Sequence, residues 1–162
     1  MKRNILVAYF SHSGNTRTVA NQICENVEGD IFEIQSEKQY HNEYNTVVKQ
    51  AKQELESSYK PKLKTKVKNI KSYDLIILGY PMWWGTFPAP VKTFLSEYDF
   101  SLKTVIPFCT HEGSYLGRSV EDIKKLCPQS TVLEGLEVRG GDVKNAQKKV
   151  FEWLRKLEIL KN

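Results

Sequence analysis

The sequence predicts a doubly wound α/β domain, a three-layer sandwich around a five-stranded parallel sheet of order 2-1-3-4-5. Three observations carry that reading. Apolar runs of strand length alternate with amphipathic stretches of helical period along the whole chain. The run Tyr73-Asp74-Leu75-Ile76-Ile77-Leu78-Gly79-Tyr80 is apolar on both faces, as in the middle of a parallel sheet. No repeat or linker divides the 162 residues, so residues 1–162 read as one domain.

The elements follow in order. Strand one covers roughly residues 3–10, with the apolar run Ile5-Leu6-Val7-Ala8-Tyr9-Phe10. Helix one covers roughly 16–27, with Val19, Ala20, Ile23, Cys24 and Val27 on one face. Asp30-Ile31-Phe32-Glu33-Ile34 reads as strand two, and Tyr44, Val47, Val48, Ala51 and Leu55 mark helix two. Strand three is the run from Tyr73 to Tyr80. Pro88 and Pro90 suit the start of helix three, with Val91, Phe94 and Leu95 facing inward. Thr104-Val105-Ile106-Pro107-Phe108-Cys109 is strand four; Pro107 removes a ladder donor and demands a bulge or an unpaired segment beside it. Val120, Ile123 and Leu126 make a short helix four, Thr131 to Val138 gives strand five, and Ala146, Val150, Trp153, Leu154 and Leu157 line the closing helix. Right-handed crossovers put helices on both faces. A ligand then belongs at the switch between strands one and three, so the loops after strands one, three and four should carry ligand-type residues.

Composition narrows the function. The formal net charge is +5 and the pI about 9.0, which would suit nucleic acid or an acidic protein. Yet the densest basic run, Lys60-Pro61-Lys62-Leu63-Lys64-Thr65-Lys66-Val67-Lys68, comes with no nucleic-acid motif and reads as a solvated connector. It joins helix two to strand three, which places it at the sheet end opposite the ligand. No apolar run reaches membrane-spanning length, and Met1-Lys2-Arg3-Asn4 leads into a strand rather than a signal peptide. Cys24, Cys109 and Cys127 are widely spaced and odd in number, which points to reduced thiols in a cytoplasmic protein. His12, His41 and His111 show no metal-ligand spacing. No nucleic-acid or membrane partner is expected.

The three loops do carry ligand-type residues. Strand one runs into Ser11-His12-Ser13-Gly14-Asn15-Thr16 at a helix start. Backbone N–H groups and the positive end of the helix dipole meet there. Three hydroxyls and the Asn15 amide can donate to phosphate oxygens, and Gly14 permits close approach. No Gly-Lys-Ser/Thr follows, no Gly-x-Gly-x-x-Gly is present, no Cys sits in the loop and no Asp ends the strand. That argues against a nucleoside-triphosphate loop, a dinucleotide site, a cysteine phosphatase and a phospho-acceptor. The same residues would also serve as an ordinary helix cap. After strand three, Tyr80-Pro81-Met82-Trp83-Trp84-Gly85-Thr86-Phe87 offers flat aromatic faces. After strand four, Thr110-His111-Glu112-Gly113-Ser114-Tyr115-Leu116-Gly117 offers backbone groups for the edge of a planar ligand. A phosphorylated, flat aromatic ligand fits this end of the sheet, and flavin mononucleotide (FMN) fits it best.

These motifs resemble the flavodoxin family. Ser11-His12-Ser13-Gly14-Asn15-Thr16 resembles the family's phosphate loop. Tyr80-Pro81-Met82-Trp83-Trp84-Gly85 resembles its second loop, and Phe108-Cys109-Thr110 with Gly113-Ser114 its third. The resemblance runs from about residue 3 to the closing helix. It implies that Ser11, Ser13, Gly14, Asn15 and Thr16 hold phosphate, with His12 beside them in a backbone role. It implies that Pro81, Met82, Trp83, Trp84 and Gly85 wall the isoalloxazine, Trp83 rather than Trp84 stacking on it. Thr110, Gly113 and Ser114 would edge the other side. Here the chain departs from the family's pattern: His111-Glu112-Gly113 stands where similar proteins often have Ser-Gly-Gly, and Tyr115 where Gly is common. Tyr115 would close the outer flavin face or pack outward. His111 and Glu112 would tune the flavin's charge or be plain solvated side chains.

Two functions follow from such a cofactor. The first is an electron carrier between redox-partner proteins, an electron-donating reductase and an acceptor enzyme. The second is an NAD(P)H-dependent reductase of quinones, azo compounds or free flavin. No insertion offers to roof a nicotinamide pocket, which favours the carrier; the basic charge argues the other way. Three intact loops argue against a fold that has lost its cofactor. No protein nucleophile or general acid is evident.

Overall fold

Runs that are apolar on both sides can be buried only between two layers, and strands from this chain lie between two layers of helix. A computed structural model describes residues 3–162; Met1 and Lys2, the start of the segment read as leading into a strand, lie outside the described residues. The elements are β1 (Ile5–Tyr9), α1 (Asn15–Asn26), β2 (Gly29–Glu33), α2 (Tyr44–Ser57), β3 (Leu75–Pro81), α3 (Ala89–Glu97), β4 (Thr104–His111), α4 (Ser119–Leu126), β5 (Thr131–Val132), β6 (Leu136–Arg139) and α5 (Gln147–Lys156). The sheet is parallel, with β2-β1-β3-β4-β5 as its order and β6 also paired to β4. The expected order is therefore present.

The period of two along each strand divides the core. Ile5, Val7, Tyr9, Ile77, Ile106 and Phe108 pack against α1 and α5. Leu6, Ala8, Ile76, Leu78, Tyr80 and Val105 face α3 and α4. Leu75, Ile76, Ile77 and Leu78 have no solvent exposure, as their central place requires. Gly79 is the exception in this run, and its reason is steric. The Phe108 ring on the adjacent strand fills the space above it, and a Cβ there would lie 2.0 Å from Phe108 Cζ.

Strand five differs from expectation: it is split into β5 and β6. Lys103 and Val105 carbonyls accept from Thr131 and Leu133 N–H groups, at 2.9 and 3.1 Å. By the alternation of the strand, residue 107 faces the same neighbour, and Pro107 has no N–H to offer. The ladder opens at that point. Gly135 lies so close to Pro107 that a Cβ on it would meet the ring Cγ at 3.1 Å. Pairing resumes at Phe108 with Leu136.

The lysine-rich connector also departs from the reading above. It does not stay at the far end of the sheet. The Pro61 carbonyl accepts from Thr93 Oγ1 of α3 at 2.8 Å. Leu63 then forms an antiparallel bridge to Ser36, just beyond the C-terminal end of β2. Glu37 N–H donates to the Lys62 carbonyl and Lys64 N–H to the Gln35 carbonyl, both at 2.8 Å. The physical reason is the buried Leu63, which joins Ile34 and Tyr40 in the core while its flanking lysines point to water. Among the described residues, no helix is long and apolar enough to cross a membrane.

Gly79→Ala should destabilise the protein by about 2 kcal/mol, the usual cost of overpacking a filled core. Urea unfolding should show a lower midpoint at unchanged slope. Adding Phe108→Leu to Gly79→Ala should recover part of the loss.

Candidate functional site

The loops after β1, β3 and β4 meet at the C-terminal end of the sheet, and Thr110 ties them together. Its hydroxyl lies 2.9 Å from that of Thr16 on α1, a buried pair. Its carbonyl accepts from Met82 N–H of the β3 loop at 2.8 Å. Thr16 is therefore buried against β4, and its side chain fixes the loop.

The first loop is shaped as an anion cradle. Gly14 precedes α1 with φ 100°, and the first turn of the helix holds no acidic residue. A Cβ at Gly14 would meet nothing within 4 Å, so the loop is open above this residue. Ser11 Oγ accepts from Gly14 N–H at 3.1 Å and from Arg17 N–H at 3.3 Å. Ser13 Oγ accepts from Asn15 N–H at 3.4 Å. These N–H groups meet the loop's own hydroxyl oxygens, in the places that phosphate oxygens would take at a helix start. His12 points elsewhere: its Nε2–H donates to the His41 carbonyl at 2.9 Å. The Arg17 guanidinium is held by Glu33 at 2.6 Å.

The second loop turns through two left-handed residues, Trp84 at φ 57° and Gly85 at φ 79°. Trp83 and Thr86 close the turn, with Trp83 N–H donating to the Thr86 carbonyl at 2.9 Å. The two indoles part company. Trp83 lies edge-on to Phe10, Tyr40 and His12, with ring centroids 5.6, 5.1 and 5.8 Å away. Trp84 swings to α2, where its Nε1–H donates to the Val48 carbonyl at 2.9 Å; Lys52 lies over its ring. Of the pair, Trp83 is the one against the first loop. Pro81 ends β3, paired with Thr110.

The third loop is pinned from below. Tyr80, fully buried, donates to Ser119 Oγ at 2.9 Å, and Ser119 Oγ donates to the Leu116 carbonyl at 2.6 Å. Gly117 packs on the second loop, where a Cβ would sit 2.4 Å from the Gly85 carbonyl oxygen. Gly113 has φ 137° and Tyr115 has φ 54°. Tyr115 is 55% exposed, and its ring lies 4.8 Å from that of His111. Ser114 accepts from Gly117 N–H at 3.1 Å through its carbonyl. Glu112 is exposed. Its Oε1 and the Asn15 amide both enter the space that a side chain at Gly140 would fill.

His111 is not the solvated side chain offered above as one reading. Its side chain has no exposure. Nδ1 accepts from Gly113 N–H at 2.9 Å, which leaves Nε2 to carry the proton toward Glu137 Oε1, 2.7 Å away. Burial works to raise the Glu137 carboxyl, but hydrogen bonds from Lys149 and His111 outweigh it and hold the group below the ordinary glutamate value. Sequence reasoning missed Glu137, Lys149, Phe10, Tyr40 and Lys64. The alternation Leu136-Glu137-Val138-Arg139 was the available signal for the first, since it sets the polar residues on one face. Burial pushes the Cys109 thiol up to about 12 and Cys24 to about 11, which leaves both protonated. Among the described residues, no cluster of His, Cys, Asp or Glu could hold a metal ion.

A family model described as flavodoxin matches residues 4–157. A candidate flavoprotein from Bacteroides eggerthii is 31% identical, with TM-score 0.86 over 98% of this chain and 99% of that one. A flavoprotein in complex with FMN from Lactobacillus acidophilus is 21% identical, with TM-score 0.73 over 88% and 97%. Oxidised flavodoxin 2 from Bacillus cereus is 22% identical, with TM-score 0.56 over 94% and 99%; these last two show a shared fold. No curated protein matches the sequence.

The lowered Glu137 carboxyl has a pH consequence. A carboxyl held lower in the folded state contributes stability that is complete above the unfolded value, about 4.3. That contribution is lost as pH falls through the folded value. Glu137→Gln should therefore cost stability at pH 7 and show a smaller further loss below pH 5 than the parent. Urea midpoints measured from pH 7 to pH 3 check this.

Proposed function

We propose, from the premise that the chain belongs to the flavodoxin family, that it binds FMN and carries electrons between redox-partner proteins. The observation that carries this reading is the position of Thr110, which holds a phosphate-type loop, an indole-bearing loop and a glycine-bearing loop in one cluster. When bound, FMN supplies the centre that accepts and donates electrons.

The residues supply binding and orientation. N–H groups at the start of α1, with Ser11 and Ser13, hold the phosphate; no carboxylate in the first turn of the helix opposes it. One monophosphate-sized cradle suits FMN rather than FAD. Trp83 presents a flat wall next to that cradle. Backbone groups at Gly113 and Ser114 edge the ring opposite, and Tyr115 stands at the rim. Trp84 and Tyr115, 46% and 55% exposed, give the same end of the molecule an aromatic surface on which a redox protein can settle.

A carrier needs no acid, base or nucleophile, and the two histidines of the loops are already engaged. His12 serves the His41 carbonyl, and His111 serves Glu137 and Gly113. Arg17 and Arg118 pair with Glu33 and Asp122 at 2.6 and 3.5 Å, and Arg139 lies over the Tyr115 ring, 6.0 Å from its centroid. Two of these three arginines are thus held by carboxylates, which supports the carrier over the reductase.

Acid-released flavin from the purified protein should run as FMN on chromatography; FAD as the main species would overturn the cofactor assignment. Ser13→Ala should weaken FMN roughly tenfold or more, the worth of a hydrogen bond to a charged group, and leave riboflavin affinity almost unchanged. Equal losses for both flavins would place Ser13 away from phosphate.

The carrier itself is tested with NADH and NADPH. Bound flavin should be reduced when a ferredoxin- or flavodoxin-type reductase is present, and negligibly by either nucleotide alone. Saturable turnover with a quinone by the isolated protein, at many per second, would instead establish the reductase.

A further inference from the structure

The carrier reading leaves unused a cavity of about 300 Å³ between α2, α3 and α4. Its floor is apolar, built from Ala51 and Leu55 of α2, Trp83 and Phe87 of the second loop, and Leu126 of α4, and charged side chains stand around it. Leu55 and its neighbour Tyr59 remain 39% and 47% exposed, so the chain does not close over this surface itself. The size suits a small molecule and excludes a docked helix, which is ~10 Å across.

The charges around the cavity are unequal in their freedom. Glu54 accepts from the Tyr40 hydroxyl. Asp122 accepts from Thr86 Oγ1 at 2.6 Å and meets Arg118 at 3.5 Å. Both carboxylates are therefore satisfied within the protein. Lys92 on α3 and Lys125 on α4 also line the cavity, and among the described residues neither ammonium group meets a carboxylate. With Arg118 and Asp122 paired, two lysines stand against the single charge of Glu54; this excess of positive charge, over a floor of indole and phenyl, selects for a ligand with a flat apolar body and one negative charge.

We infer that this cavity binds a small aromatic anion, an aryl carboxylate or sulfonate, with its ring against Trp83 and Phe87 and its charge between Lys92 and Lys125. A neutral arene would bury the same surface and gain nothing from the lysines. The site goes beyond electron carriage and stands without it. One consequence does rest on the FMN reading: Trp83 would be a wall common to both sites. Each ligand then alters the affinity of the other by an equal factor.

The test uses 2-naphthoate and its neutral isostere 2-naphthamide, titrated calorimetrically into flavin-free protein. Naphthoate should bind saturably, about tenfold or more tighter than naphthamide. Lys92→Gln with Lys125→Gln should abolish that preference while leaving FMN affinity intact. Ala51→Phe, which fills the cavity, should remove binding of both probes. Equal affinity of the two probes, no saturable binding at millimolar naphthoate, or a preference that survives loss of both lysines would each overturn the site. Naphthoate binding by a protein that takes up no FMN would keep this site and remove the carrier.

Discussion

The candidate site depends on one residue with two bonds. Thr110 sits at the end of β4, where the side chain can face α1 while the carbonyl faces β3. Its hydroxyl holds Thr16, and its carbonyl holds Met82. A rigid strand thus sets the spacing between a helix start and a loop that lie more than sixty residues apart in the chain. Both groups of the threonine pair are buried, and buried hydroxyls are costly to leave unpaired. That cost enforces the arrangement, and the loops themselves need only be glycine-rich enough to comply. Gly85, Gly113 and Gly117 all adopt positive φ, and Gly117 also lets the second and third loops touch.

The loops were legible in the sequence because their chemistry is contiguous. Hydroxyls, indoles and glycines fall in three unbroken runs, each directly after an apolar strand, and strand order alone brings the runs together. The His111–Glu137 pair was not legible, and the reason is a count of one. From Val105 to Phe108 the central strand advances three residues, while its partner advances four, from Val132 to Leu136. A slip of one exchanges the two faces of a strand. Pro107 announced that pairing would fail nearby, but not that a whole residue would be inserted opposite. With an unbroken strand, Glu137 would face away from His111.

The lysine connector was misplaced for a related reason. A link between helix two and strand three belongs by connectivity at the far end of the sheet, and the alternation Lys62-Leu63-Lys64 hides one strand-like apolar residue among charges. Leu63 carries the chain back to the end of β2, and Lys64 ends beside Ser11, His12 and Arg17 in a common cleft. Some of the positive field therefore does stand at the site end of the molecule. A phosphate-bearing ligand arriving there meets an attractive potential before it meets the loop.

The break opposite Pro107 has a further consequence, at the rim of the sheet. An outer strand displays open N–H and C=O groups, and a long flat one invites another chain to add to it. This rim is cut into pieces of two and four residues, β5 and β6, with a bend between them. Neither piece is long enough to template a stable partner strand. At the other rim, the residues just beyond β2 are occupied by the Leu63 bridge. Along the β5–β6 rim, copies of the chain therefore gain little by edge-to-edge association, and the aromatic rings at the strand ends stand beside an edge that does not invite a further strand.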